Sequence, residues 1–484
     1  MPVITVVWAL GNTVQVTVDG AQNSDLVNYA EGLSTQISSI VNTLNTRILN
    51  PTGVVPAAMA QSMTADKSDA AILSSVAGQG EYALATVSGS YALSGDVTWV
   101  TIGSNSATHP DQPLEGRVYV DARQVTARNV TVLGGATQGI LFQAGGQSGT
   151  FLAGTGDNLF AGGEGNWTVA TGDGNDTIRG GDGTNTLSPG LGDNRVELGS
   201  GINYVHSTGQ DTITGTAGVQ NITLSGTGSI VSVGENSIVV DANGGQKITV
   251  GGGSTVSGGM SDQINMAGAT GTVQGGYANT ISAAQGNLQT VNTDSASISV
   301  LRDLTFISGT GKTDIAAGHA TMFGSRGLDL QVAMTSAAAV GSDNVFAAND
   351  GNMTVDGSSS RYGIHAFGNN AGTSGSQTFI GGSGADTLVG GVGNATLTGG
   401  TGDANVFALR DGVAGADYTI TDFSAVAGNS VLLVGYDYAR SAFQADVLDK
   451  ATHDGTSTTI TLSDNSKVTF LNVASLSSDT FKGF

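Results

Sequence analysis

Residues 153–206 form six consecutive nine-residue units, which read AGTGDNLFA, GGEGNWTVA, TGDGNDTIR, GGDGTNTLS, PGLGDNRVE and LGSGINYVH. A shortened unit follows and contains Gly209-Gln210-Asp211-Thr212-Ile213. Four more units occupy residues 372–407 and read GTSGSQTFI, GGSGADTLV, GGVGNATLT and GGTGDANVF. Every complete unit has glycine at its fourth position and an apolar residue at its eighth. Because glycine permits the positive φ angles of tight turns, the pattern predicts short strands joined by tight turns.

These units resemble the G-G-x-G-x-D-x-U-x nonapeptides of repeats-in-toxin (RTX) proteins. The resemblance implies a mainly β fold, a parallel β-roll or β-solenoid in which two nonapeptides form one coil. Units that are two apart then stack, which sorts the inward-facing eighth residues into two columns. The first column is Phe160, Ile178, Val196 and Ile213, and the second is Val169, Leu187 and Val205.

The same resemblance implies Ca²⁺ as a cofactor, because RTX proteins hold the ion between position-six aspartates and backbone carbonyls of stacked turns. Carboxylate and carbonyl oxygens suit this hard cation. Here one position-six column reads Asn158, Asp176, Asn194 and Asp211, and the opposite column reads Trp167, Asn185 and Asn203. In the second tract only Asp386 is an aspartate at position six. The other three units have Gln377, Ala395 and Ala404 at that position.

Asparagine offers a carbonyl ligand without charge, so these replacements predict weaker calcium affinity. Five aspartates close to the turns are candidate ligands that could compensate: Asp157, Asp173, Asp182, Asp193 and Asp403. The predicted metal-site residues are these five together with Asn158, Asp176, Asn194, Asp211 and Asp386. The alternative is a metal-independent β-helix held by an asparagine ladder and backbone hydrogen bonds.

The sequence predicts three regions. Residues 1–115 form an N-terminal α+β domain for assembly or anchoring, with strands at 3–8 and 13–18 and an amphipathic helix from Leu26 to Ile48. Residues 116–410 form the solenoid, including RTX-like tracts at 153–213 and 372–407. Between the tracts, residues 214–371 predict stacked coils of irregular length, with a separate sandwich domain as the alternative. Residues 411–484 form a C-terminal β cap and export-signal region.

The C-terminal region carries a second resemblance. Residues 416–423, 431–436 and 457–470 resemble the terminal strands of type I secreted proteins, whose uncleaved signal lies at the extreme C-terminus. The tail SSDTFKGF at 477–484 has the small, polar and aromatic residues typical of such signals. The N-terminus lacks a basic region followed by a long apolar run, so no N-terminal secretory signal is expected. We therefore expect export through a type I secretion apparatus to the surface or surroundings of a Gram-negative bacterium.

Composition narrows the classes of partner. The 484 residues include 75 glycines and no cysteine, and the formal net charge is −22. Without cysteine, disulfides and thiolate metal sites are excluded. An acidic surface repels phosphate backbones, so nucleic acid is not an expected partner. No stretch reaches the roughly 20 apolar residues of a transmembrane helix.

No sequence motif indicates an enzyme. None of the five histidines belongs to an H-E-x-x-H zinc motif, and no G-x-S-x-G nucleophile elbow occurs. A β-helical polysaccharide lyase or epimerase stays an alternative, with candidate groups at Arg302-Asp303, Arg326 with Asp329, Arg361-Tyr362, and His365.

The expected function is structural. The sequence favours an extracellular surface-layer, filament or biofilm-matrix subunit that assembles with itself and is stabilised by calcium. An adhesin that binds cell-surface polysaccharide, another glycan or a solid surface is the second hypothesis.

Overall fold

The computed structural model describes residues 81–85, 88–103, 113–335, 345–349, 351–368, 375–391, 393–411 and 415–483, together with the strands Val3–Val7, Thr13–Thr17, Thr64–Ala65 and Ala71–Leu73. The protein is mainly β, with 53% strand and 4% helix, and it contains a parallel β-solenoid of about 15 turns. The predicted fold class is therefore confirmed. The chain divides into two compact units, Met1–Val250 and Gly251–Phe484.

Unit 1, Met1–Val250, contains two parallel sheets whose strands alternate along the chain. Sheet A consists, in order, of Gly89–Gly95, Val118–Val125, Ile140–Gln143, Leu159–Ala161, Thr177–Arg179, Arg195–Glu197, Thr212–Gly215, Ile230–Val233 and Lys247–Val250. Sheet B consists of Glu81–Ala85, Val97–Ile102, Asn129–Gly134, Ser148–Ala153, Trp167–Ala170, Asn185–Gly190, Ile202–Ser207, Val219–Leu224 and Ile238–Asp241. Successive strands within a sheet pair in parallel, so one strand from each sheet makes one coil.

The predicted inward columns are confirmed. Phe160 lies opposite Ile178, and Ile178 lies opposite Val196, so each coil contains two nine-residue units. All members of both columns are at most 3% exposed. Their apolar side chains fill the interior between sheets A and B, and this burial is the main favourable contribution to folding of the coils.

The parallel pairing begins before the predicted domain boundary at residue 115. Glu81–Ala85 pairs with Val97–Ile102, which in turn pairs with Asn129–Gly134. The solenoid coils of unit 1 therefore include strands from the region for which the sequence predicts an N-terminal α+β domain. Val3–Val7 and Thr13–Thr17 pair in antiparallel fashion, in agreement with the two predicted strands. The helix predicted from Leu26 to Ile48 lies outside the described residues.

Unit 2, Gly251–Phe484, also contains two parallel sheets. Sheet C consists of Gln263–Met266, Thr280–Ala283, Leu328–Met334, Met353–Asp356, Gln377–Ile380, Ala395–Thr398, Asp417–Ile420 and Lys467–Phe470. Sheet D consists of Ser254–Ser257, Thr270–Gln274, Asn287–Val291, Val345–Ala348, Ile364–Phe367, Thr387–Val389, Val406–Arg410, Ser430–Val434 and Phe481–Lys482. Two long strands, Ser297–Ile307 and Gly311–Phe323, pass through both sheets. The described strands within 214–371 are thus solenoid strands, and the sandwich alternative is wrong.

The last parallel coil of unit 2, which contains Lys467–Phe470 and Phe481–Lys482, is accompanied by a different arrangement. A helix, Arg440–Asp446, and two 3₁₀ turns, Leu448–Lys450 and Ser478–Thr480, accompany the antiparallel strands Thr452–His453, Thr458–Thr461 and Lys467–Phe470. Phe481 is fully buried, and its ring centroid lies 4.9 Å from that of Phe443 and 6.1 Å from that of Phe470. The predicted cap fits this arrangement, because antiparallel strands and a helix end the parallel stacking.

Candidate metal centre

The position-six residues of the first tract form a buried polar column along one edge of sheet A. Asn158, Asp176, Asn194 and Asp211 each directly precede a strand and are at most 2% exposed. Asn158 Oδ1 accepts the backbone N–H of Ile140 at 2.8 Å. Further along, Asp176 Oδ1 accepts from the N–H of Asn158 at 2.7 Å, and Asn194 Oδ1 accepts from that of Asp176 at 2.8 Å. Each side chain therefore satisfies a main-chain donor in the preceding coil, which a buried backbone requires.

The column continues beyond the nonapeptides of unit 1. Asp211 Oδ1 accepts from the backbone N–H of Asn194 at 3.2 Å. The backbone N–H of Asp211 donates in turn to Ser229 Oγ at 3.0 Å, and that of Ser229 donates to Gln246 Oε1 at 2.7 Å. We call this series, from Asn158 to Gln246, the sheet A ladder. Serine and glutamine replace Asn and Asp in it, which is why nonapeptide spacing alone did not reveal its full length.

The amide nitrogen of Asn158 has an unusual set of acceptors. It lies 2.7 Å from the carbonyl oxygen of Gly156, 3.0 Å from that of Thr171, and 3.0 Å from Asp176 Oδ1. Since all three neighbours are oxygens, the atom that faces them must be the donor end of the amide. The Asn194 amide repeats part of this pattern, because its Nδ2 donates to Asp211 Oδ1 at 2.8 Å.

The buried carboxylates differ from one another in how they are satisfied. Burial raises the pKa of Asp176 to about 7, and Oδ2 of this residue has no hydrogen-bond partner. Burial likewise raises the pKa of Asp386 to about 7, and its Oδ2 also lacks a partner. Burial raises the pKa of Asp211 too, but its Oδ2 accepts the hydroxyl of Ser207 at 2.5 Å. Two of the predicted acidic ligands thus have an interior oxygen without a hydrogen bond of normal geometry, although the Thr171 hydroxyl favours the charged form of Asp176 and the Gly382 N–H that of Asp386.

The opposite position-six column, at sheet B, contains only neutral side chains. Asn185 Oδ1 accepts the backbone N–H of Trp167 at 3.0 Å, and its Nδ2 donates to the Gly183 carbonyl at 2.9 Å and to Asn203 Oδ1 at 3.0 Å. Asn203 Nδ2 then donates to Gln220 Oε1 at 2.9 Å. This column is an amide ladder and offers no carboxylate to a cation.

Trp167 itself is a core residue. Its side chain is 1% exposed, and its ring centroid lies 5.4 Å from that of Phe142 and 5.1 Å from that of Phe160. The tryptophan therefore contributes to internal packing and not to a surface on which a sugar could stack.

The five aspartates predicted to compensate, Asp157, Asp173, Asp182, Asp193 and Asp403, are all exposed on the outer surface of the turns. Asp157 Oδ1 accepts the backbone N–H of Asn175 at 2.9 Å, and Asp182 Oδ1 accepts the hydroxyl of Ser200 at 2.9 Å. Asp157 and Asp193 directly precede Asn158 and Asn194, and they face outward because adjacent residues of extended chain point in opposite directions. Their role as metal ligands stays a prediction.

One position in the second tract differs from the predicted register. Nine-residue counting gave Ala404 the sixth position, but the backbone N–H of Asp386 donates to Asn405 Oδ1 at 2.8 Å. Leu388 pairs with Phe407, so this coil is one residue longer than two nonapeptides. The ladder here runs from Asp386 through Asn405 to Asn429, whose Oδ1 accepts the backbone N–H of Asn405 at 2.8 Å. The other predicted position-six residues Gln377 and Ala395 are buried on sheet C.

The groups considered for a lyase or epimerase are distributed over several coils. Asp303 lies opposite His319 on the neighbouring strand, with Oδ1 and Nδ1 2.9 Å apart. Arg326 lies in the turn before Leu328–Met334, whereas Arg361 lies in the turn before Ile364–Phe367. Within the described residues, no cluster of three or more His, Asp or Glu side chains could hold a metal ion.

Comparison with protein families finds RTX calcium-binding nonapeptide repeats, four copies in all, at residues 168–205 and 371–404. This chain carries RTX repeats. RTX repeats bind calcium, and the proteins that contain them are generally secreted. The repeat region of such proteins is typically non-enzymatic. Neither the curated proteins nor the solved structures include a significant match to the chain. Among the described helices, none has the length and apolar character needed to cross a bilayer.

The buried position-six residues of the RTX tracts differ in how well they suit calcium. The unpartnered Oδ2 atoms of Asp176 and Asp386 are hard, anionic oxygens inside turns with many backbone carbonyls, which suits Ca²⁺. At Asn158, by contrast, an amide nitrogen already lies against the surrounding oxygens, and its hydrogens would repel a cation. Asp176 and Asp386 are therefore the residues that would hold calcium. The bound ion would balance the negative charge of these buried carboxylates.

Proposed function

We propose that this RTX-repeat protein is an extracellular, calcium-stabilised structural subunit that assembles with itself into a surface layer, filament or biofilm matrix. The observation that carries the proposal is a row of threonines on adjacent strands of sheet B. Thr131, Thr150, Thr168 and Thr186 are paired in register from one coil to the next. They border a surface depression of about 350 Å³, which is otherwise lined mainly by neutral residues such as Ser148 and Asn166.

Such a row repeats at the spacing between strands, about 4.8 Å. A second copy can therefore meet the partly exposed hydroxyl groups of Thr131, Thr168 and Thr186 at matching spacing, whereas Thr150 is 2% exposed and contributes only to the floor of the depression. The small, neutral side chains also keep local charge repulsion low in a chain whose formal net charge is −22. Calcium reduces the remaining repulsion between copies, which is the physical reason to expect assembly to depend on it.

The test is negative-stain imaging of the purified full chain in EGTA and after addition of millimolar calcium. We expect sheets or filaments with calcium and dispersed particles without it. Thr168→Arg places a charge in the threonine row and should prevent assembly, whereas Thr177→Arg makes the same change on a partly exposed site of sheet A. Dispersed monomers in both conditions, or equal assembly of both variants with the native chain, would contradict the proposal.

An adhesin is the second candidate, and a different surface favours it. Tyr204, Ile238 and Val240 are 49%, 46% and 40% exposed and border a depression of about 250 Å³ on sheet B. An exposed aromatic ring beside a groove can stack on a sugar ring. The other exposed tyrosines, Tyr119 on sheet A and Tyr277 at a turn of unit 2, do not extend this patch. Glycan-array binding that Tyr204→Ala abolishes would support the adhesin.

We propose further that the chain leaves a Gram-negative cell through a type I secretion apparatus. The support is the RTX family's general secretion together with a C-terminal tail of the expected composition. Fusion of residues 411–484 to a reporter tests this directly, because export should require the fused segment and the apparatus. Reporter that stays inside cells expressing the apparatus would count against this route.

A further inference from the structure

From Asn158 to Asp211, the sheet A ladder alternates between buried amides and buried carboxylates. The amides are satisfied by hydrogen bonds alone, whereas a buried carboxylate also carries a negative charge. At the Asn158 level, one amide nitrogen is within 3.0 Å of two main-chain carbonyls and a carboxylate oxygen. An ion held between two stacked coils would need these same kinds of oxygen. The amide satisfies them with hydrogen bonds and without a net charge.

We infer that asparagine amides replace calcium at the Asn158 and Asn194 levels of the ladder, and that the ions bound by the RTX tracts are confined to the levels of Asp176 and Asp386. A cation beside Asn158 would face the positive end of an amide whose hydrogens already bond the Gly156 and Thr171 carbonyls and Asp176 Oδ1. Those oxygens are therefore not available as ligands, and the amide-filled levels exclude the ion. Whether copies of the chain assemble has no bearing on these internal sites.

The carboxylates of the ladder support this division. Asp211 is as buried as Asp176, but the Ser207 hydroxyl donates to its Oδ2 at 2.5 Å, so it needs no ion. Asp262, in unit 2, is satisfied in the same way, because its Oδ2 accepts the backbone N–H of Gly259 at 2.9 Å. Asp176 and Asp386 are the position-six carboxylates of the described chain whose Oδ2 makes no hydrogen bond of normal geometry, although the Thr171 hydroxyl and the Gly382 N–H lie close enough to favour their charged forms.

The surroundings of Asp386 provide room beside that oxygen. A Cβ atom added at Gly381 would press against Asp386 Oδ2 and against the carbonyl oxygen of Gly399. Glycine at this position therefore leaves a small space bordered by a carboxylate and a carbonyl oxygen. Asp241 also has an unpartnered buried Oδ2, but it lies outside the ladder, and its Oδ1 accepts the Gln246 amide at 3.2 Å.

Reciprocal substitutions test the inference. Asp176→Asn replaces the unpartnered oxygen by an amide nitrogen at nearly constant volume, and Asn158→Asp does the reverse one coil away. Asn166→Asp is the matched control, because Asn166 is exposed at the surface of a turn. Calcium stoichiometry is measured by isothermal titration calorimetry on EGTA-treated full-length chain, and the melting temperature Tm is measured with EGTA and with calcium.

We expect Asp176→Asn to bind one ion fewer than the native chain and to raise Tm in EGTA by roughly 2–6 °C. Asn158→Asp should bind one ion more, with Tm lowered in EGTA and recovered in calcium. Asn166→Asp should change neither quantity. Unchanged stoichiometry in Asp176→Asn would overturn the inference, as would an Asn158→Asp chain whose Tm in EGTA equals that of the native chain. Should Asn158→Asp fail to fold in either condition, Asp176→Asn and Asp386→Asn decide the question, since both remove a buried charge.

Discussion

Replacing Asn185 with leucine tests how strongly one buried amide holds two coils together. Asn185 is fully buried at the start of a sheet B strand. Its side chain accepts the backbone N–H of Trp167 and donates to the Gly183 carbonyl and to Asn203 Oδ1, at 3.0, 2.9 and 3.0 Å. Leucine has the same number and branching of side-chain heavy atoms, although it is larger, and it makes none of these bonds. The substitution therefore leaves one buried donor and two buried acceptors without this partner.

The expected loss of stability follows from those three groups. Each buried polar group that loses its partner costs about 1–3 kcal/mol, which sets a gross penalty of about 3–9 kcal/mol. Burial of the leucine side chain offsets about 1.5–3 kcal/mol of this. We therefore expect the free energy of unfolding to fall by about 1.5–6 kcal/mol.

The assay is urea unfolding followed by the fluorescence of Trp167, which lies one coil from Asn185. Replacing the other two tryptophans, Trp8 and Trp99, by phenylalanine makes the fluorescence signal local. Asn166→Leu is the control: its Oδ1 accepts a backbone N–H at 2.7 Å, but at an exposed site where water can replace it. A loss below about 1 kcal/mol for Asn185→Leu would refute the reasoning. So would a loss that disappears in calcium, because a metal ion would then be holding this level.

Two further substitutions probe packing in the two units. Gly149→Val should lower Tm by at least roughly 5 °C in differential scanning calorimetry, because a Cβ there would collide with the backbone carbonyl oxygen of Val130 and with the Trp167 ring. Gly146→Val, where a Cβ meets nothing within 4 Å, should leave Tm nearly unchanged. Phe481→Ala should destabilise the C-terminal region by about 3–5 kcal/mol, because this fully buried ring packs against Phe443. Hydrogen exchange should then rise in 440–483 and not in unit 1, and unchanged exchange in 440–483 would show that Phe481 contributes little.

The fold could be predicted where the nonapeptide encodes both a turn and an inward residue. Phe160 and Ile178 occupy the same position in units two apart, and they do stack. The beginning of the coils could not be predicted in this way, because Glu81–Ala85 and Val97–Ile102 pair in parallel without any nonapeptide glycine pattern. A strand buried on one face has the same alternation in a solenoid as in a small α+β domain, so apolar periodicity alone does not separate them.

The sequence predicts the buried column of the candidate site but not which neighbouring side chains reach it. The residues of the buried column, such as Asp176, follow from the nonapeptide register. Asp157 and Asp193 are close in sequence to the buried column, but a side chain adjacent to a buried one in extended chain points outward. Which buried carboxylate lacks a donor also depends on other turns. Asp211 differs from Asp176 because a serine four residues earlier happens to face its second oxygen.

The constant feature of this solenoid is therefore a polar side chain before the strand, and not a count of nine residues. Asp386 and Asn405 are 19 residues apart, and Asn194 and Asp211 are 17 apart, yet both pairs keep the same side-chain to backbone bond. A turn can gain or lose a residue on the outer surface, whereas a slip of the ladder would leave buried donors unpaired in two coils. Selection for buried pairing thus tolerates irregular turns. This explains why the family match in unit 1 ends at residue 205, while the same ladder of hydrogen bonds reaches Gln246.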